Sequence, residues 1–103
     1  MTKSQLYLDF TAAKAKATQL ETQASRLEKA VREEYSDGVN RARNAWKGEA
    51  ANLFGNEADK LAEQTKKTAD NLRKVATAIR QAAQIVYNAE MKALEIAETR
   101  KYQ

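Results

Sequence analysis

The side chains that most often carry catalysis are missing. The chain has 103 residues and no His or Cys. That removes the commonest general base, the commonest metal ligand and any thiolate nucleophile. Carboxylates such as Glu33 and Glu34 remain, but they fall on a solvated face with no apolar pocket to tune them. No Gly-rich phosphate loop and no metal-ligand spacing stands in the sequence. The expected chemistry is therefore recognition, with no catalytic residue, cofactor, metal or small-molecule substrate. Trp46 and Gly48 are the residues best suited to it: the only Trp, and one of three Gly, close to mid-chain. A Trp brings the largest apolar surface of any side chain, enough to plug the closed end of a hairpin. A Gly accepts the positive φ that ends a helix or turns a corner.

Two elements must position that pair. Either side of Trp46-Lys47-Gly48 lies a long, proline-free, charge-rich run in which apolar residues return every three or four positions. This is the pattern of two amphipathic helices joined by one turn. Composition agrees, with few Gly, many Ala, and 31% charged residues. The net charge of +4 is spread through the chain. Arg41, Arg43 and Lys47 cluster near the turn, and Lys66-Lys67 and Arg73-Lys74 lie further on. Acids are interleaved throughout, so no basic stripe favours nucleic acid. The apolar faces are mostly Ala, which argues against a membrane-lytic helix. No stretch approaches the roughly 20 apolar residues of a membrane span, and the first residues hold no continuous apolar run of a cleaved signal peptide.

The spacing predicts a first helix over about residues 3–44. Thr2-x-x-Gln5 fits a capping box. The apolar stripe then runs Leu6, Phe10, Ala13, Ala17, Leu20, Ala24, Leu27 and Val31, alternating four and three. Glu28 and Arg32 stand four apart as an expected ion pair. After Val31 the pattern slips by one residue, resuming at Tyr35, Val39, Ala42 and Trp46. The slip lies beside Gly38 and predicts a stutter with a bend there. The turn is expected at about 45–48 and the second helix over about 49–100. Its expected stripe is Phe54, Ala58, Leu61, Thr65, Thr68, Leu72, Val75, Ile79, Ala82, Val86, Ala89, Ala93 and Ile96. Thr65 and Thr68 are expected to turn their hydroxyls to the backbone. Ala62, Ala69, Ala76 and Ala83 form a second row, seven apart, beside the first. The fold class is all-α: one domain, an antiparallel two-helix hairpin. Its leftover apolar surface predicts pairing into a four-helix bundle as a dimer. The interface is expected on Leu6, Phe10, Leu20, Leu27, Val31, Leu61, Leu72, Val75, Ile79 and Val86.

The run Asn44-Ala45-Trp46-Lys47-Gly48-Glu49-Ala50-Ala51-Asn52-Leu53-Phe54 resembles the signature of the WXG family. These are hundred-residue, early-secreted-antigen-type proteins exported by type VII secretion systems. The matching features are Trp-x-Gly near mid-chain, small residues after it, and an aromatic, Phe54, eight positions after the Trp. The resemblance implies a helical hairpin that dimerises with itself or with a related small helical protein. It implies export as a folded pair through a secretion ATPase, without a cleaved signal. Localisation would be cytoplasmic before export, then secreted or at the cell surface. Some family members escort a toxin by packing against its helical N-terminal segment. The resemblance also implies a Tyr-x-x-x-Asp/Glu export motif near the C-terminus. Here the sequence departs: the residue four after Tyr87 is Met91, and Glu90 is one position short. Tyr102 stands too near the end to have a residue four beyond it. Tyr87 with Glu90 is therefore at most a degenerate version, which favours a chain that relies on a partner for the tail motif. Outside this resemblance, a structural coiled coil or a nucleic-acid-associated helical protein shares the same pattern.

Overall fold

The computed structural model describes residues 2–46 and 48–101; Lys47 and Tyr102, singled out above, lie outside them. The described residues are helical almost throughout and include no strand. Helix α1 spans Lys3–Lys29 and passes through a π-helical turn, Ala30–Tyr35, into α2, Ser36–Ala45. After the turn, α3 runs without a break over Glu49–Lys101. Contacts divide the chain into two compact units. One joins Met1–Leu20 to Lys74–Gln103 and the other is Glu21–Arg73.

Each unit pairs an early helical segment with a late one, antiparallel. In the unit of the chain ends, Lys3 reaches Glu98 at 3.3 Å. The Phe10 ring stacks on Tyr87 with centroids 4.6 Å apart. Arg80 donates to the Thr18 hydroxyl at 3.0 Å. In the Glu21–Arg73 unit, Arg73 pairs with Glu28, and Arg43 pairs with Asp59 at 3.1 Å. Within each unit the partner's number falls as the residue's number rises, which is the register of a helical hairpin.

The local signals explain where the helices begin and slip. At the start of α1, Thr2 N–H donates to Gln5 Oε1 at 3.0 Å and Gln5 N–H donates to Thr2 Oγ1 at 3.1 Å. Two otherwise unpaired helix-end donors are thus satisfied reciprocally. Gly38, where the slip predicts a bend, sits inside α2 without a positive φ. The extra residue is absorbed upstream, at Ala30–Tyr35. A π turn takes one more residue than an α turn, so Tyr35, Val39 and Ala42 return to the stripe. Ser36 secures it, donating its N–H to Val31 O, five residues back, and its hydroxyl to the same oxygen at 2.8 Å.

The first-helix stripe lies inward as expected. Leu6, Ala17, Ala24 and Val39 are buried, and Phe10, Ala13, Leu20, Leu27, Val31, Tyr35 and Ala42 are half-buried. The second-helix stripe needs correction. Ala51, Ala58, Ala69 and Ala76 are buried, the last two completely. Leu61, Val75 and Val86 are 52%, 49% and 56% exposed. Three rows of seven-residue spacing run side by side on α3. The row with Ala58, Thr65, Leu72 and Ile79 is inward as expected, though its next member, Val86, is exposed, and its neighbour is the small-residue row Gly55, Ala62, Ala69, Ala76 and Ala83. The bulkier row of Leu61 and Val75 is left outside. Small side chains let two helix backbones come close, which is how an Ala row makes a helix contact. Glu28, expected to pair with Arg32, is bonded directly by Arg73, and Arg32 acts on it through its charge. Thr65 and Thr68 do donate to the carbonyls four residues back, at 2.9 and 3.0 Å.

Candidate recognition site at the turn

The chain reverses between α2 and α3. Helix α2 stops because Trp46 leaves helical geometry for an extended conformation, φ −100° and ψ 146°. Its N–H still donates to Ala42 O at 2.9 Å, closing the last turn. Gly48 follows at φ +84°, the left-handed region where a side chain is strained. Its carbonyl then accepts from Asn52 N–H at 3.3 Å, at the start of α3. Glu49 occupies the first turn, where a carboxylate faces the positive end of the helix dipole.

Trp46 is not enclosed at the turn. It is 51% exposed. It rests edge-on against Phe54, with ring centroids 5.1 Å apart and planes at 71°, the offset geometry that aromatic quadrupoles favour. Phe54 is itself at the surface, so the expectation of a core position does not hold. The turn thus displays two touching aromatic rings on a backbone fixed by one left-handed Gly.

The same end of the hairpin holds a residue that the sequence reading passed over. Gly55 is buried, and a Cβ built on it would run into the Arg43 guanidinium. The missing side chain lets Arg43 lie across α3 and reach Asp59. The signal was present, because Gly55 begins the seven-residue row that continues through Ala62 and Ala69.

Tyr87 and Glu90 belong to the unit of the chain ends, whereas Trp46 belongs to the other. Tyr87 is half-buried, its ring held against Phe10. Lys14 Nζ stands 4.6 Å from the centre of the same Phe10 ring. Glu90 is exposed beside an apolar groove. Of the residues expected at a chain–chain interface, Leu6 is buried. Phe10, Leu20, Leu27, Val31, Leu72 and Ile79 are half-buried inside the hairpin, and Leu61, Val75 and Val86 stand outside.

Glu28 and Arg73 shift each other's titration. The Arg73 guanidinium, hydrogen-bonded to Glu28, holds the Glu28 carboxyl below the usual glutamate range. The same bond raises Arg73. Among the described residues, no group of three carboxylates gathers as a metal site. No helix among them is long and apolar enough to cross a membrane. Comparison with protein-family models, curated proteins and solved structures gives no match to this chain.

Proposed function

We propose that the protein works by binding, as a non-enzymatic, dimeric export substrate or export partner of a type VII secretion system. The observation that carries this reading is the turn. Trp46 is half exposed, braced by Phe54, and placed on a Gly48 corner that only a left-handed backbone makes. A Trp needed only to close the hairpin would be expected to bury most of its ring, since burial is what stabilises. A half-exposed aromatic held in one orientation is instead suited to be touched by another molecule.

Trp46→Ala tests the reading. The expected result is loss of export from the producing cells, with helix content and solution mass unchanged. Loosening of the helices in the same variant would return Trp46 to a structural role.

A second reading is favoured by the outer face of α3. In it, the chain escorts a larger toxin by packing against that protein's helical N-terminal segment. Leu61, Val75, Ile85 and Val86 offer apolar surface that the hairpin leaves uncovered. A structural or nucleic-acid-associated role is the alternative from another class. Retention on nucleic acid at low salt, lost as salt rises, would support it over both.

A further inference from the structure

We infer that the groove in the unit of the chain ends is the docking site for a partner helix whose apolar row is flanked by basic side chains. This rests on the escort reading and names the chemistry of the partner. Phe10, Ala83, Tyr87 and Val86 line the groove, the first three half-buried as its floor and Val86 exposed. The two aromatic rings are stacked, so the floor is fixed before anything binds. Along α3 it runs from Ile79 to Glu90, about 16 Å at 1.5 Å per residue. That accommodates three turns of a helix lying along it, the usual form of helix-in-groove recognition.

Charge selects the occupant. The charged groups lining the groove are Asp9 and Glu90. Both are exposed, and no ion pair engages either among the described residues. The nearby cation, Lys14, is drawn over the Phe10 ring. In a chain of net charge +4, this groove presents a local acidic rim. From Val75 to Ala89 the only charged residue is Arg80, and it is turned to the Thr18 hydroxyl. The clefts of the other unit differ. One is lined by Glu28, Arg32, Glu63 and Lys66 together, a mixed set that favours neither sign. Another is lined by Leu27, Val31 and Leu61 with a single acid, Glu34, so a basic amphipathic helix meets the larger negative charge in the groove of the chain ends, which has two.

The experiment uses the full chain and two synthetic helical peptides. They share one Leu row, flanked by Lys in one peptide and by Glu in the other. Binding is read by calorimetry at low and moderate salt. The Lys-flanked peptide is expected to bind about tenfold more tightly than the Glu-flanked one, as two favourable rim pairs would give. The double substitution Asp9→Lys with Glu90→Lys is expected to reverse that order. Val86→Asp is expected to abolish binding with helix content intact, since Val86 is already exposed. Equal binding of both peptides, or an order unmoved by the charge reversal, would overturn the inference. So would no binding together with a self-association that Val86→Asp disrupts, because the groove would then be filled by a second copy. None of these readouts involves export, so the outcome is separate from that of Trp46→Ala.

Discussion

The Glu28–Arg73 pair makes stability depend on pH. The Glu28 carboxyl is lowered in the folded chain, so the folded state favours the ionised form. Its contribution is fully present above the ordinary glutamate range and is lost as the pH falls through the lowered value. Glu28→Gln is therefore expected to flatten the acid limb of a thermal-midpoint-against-pH profile and leave its alkaline side unchanged. A profile as steep as that of the unsubstituted chain would show that other carboxylates set it. The glycines make a second prediction at this scale. Gly48→Ala places a side chain at φ +84° and is expected to cost about 1 kcal/mol or somewhat more. Gly38 is helical with open space around a Cβ, so Gly38→Ala is expected to stabilise by up to about 1 kcal/mol. Urea unfolding of the two variants should move in opposite directions.

For the helices, the first question is what the π turn does. It takes up one residue of excess, so a deletion there should be absorbed. Removing the exposed Glu34 is expected to restore an ordinary helical ladder with the stripe on either side still inward. Removing the exposed Lys16 from the regular part of α1 has no such reserve. It turns one flank by about 100° against the other, and helix content and cooperativity should fall. Circular dichroism and thermal unfolding of the two deletions distinguish these outcomes. The two rows of α3 give a companion test. Ala76 is fully buried, and Ala76→Leu should cost about 1–3 kcal/mol through overpacking. Val75→Ala, next in sequence but half exposed, should change the isolated chain little. If Val75→Ala were instead the costlier, the bulky row would be the inner one.

For the whole molecule, the core is thin. Among the described residues, those buried as core are Leu6, Val39 and six alanines, and no large side chain is fully enclosed. A chain of this size with so little enclosed apolar volume is expected to be marginal alone. A partner that binds only the folded form adds RT ln(1 + [L]/Kd), about 2.7 kcal/mol at a hundredfold excess over Kd. The unfolding midpoint is therefore expected to rise with the chain's own concentration if it self-pairs, or with added partner helix if it does not. Light scattering across the same series reads the mass directly. A value near twice 11.6 kDa marks a self-sufficient bundle, and a constant monomer marks a chain that awaits another.

Local chemistry made much of this protein legible. The Thr2–Gln5 cap, the turn at Trp46-Lys47-Gly48, the absence of Pro and the three-four spacing each act over a few residues, so sequence alone placed the helices and the inward stripe of the first. It also showed that one residue was in excess after Val31, though not how the excess would be absorbed. The slip pointed to Gly38, whereas the extra residue is taken up in a π turn at Ala30–Tyr35, where Ser36 bonds back to Val31. Only tertiary packing decided which face of α3 turns inward. Periodicity states that rows exist seven residues apart, and the rows of Leu61 and Ala62 have the same period and differ only in phase. Phase is set by the surface that the row meets. There the alanines allow close approach, so Leu61 and Val75 remain outside.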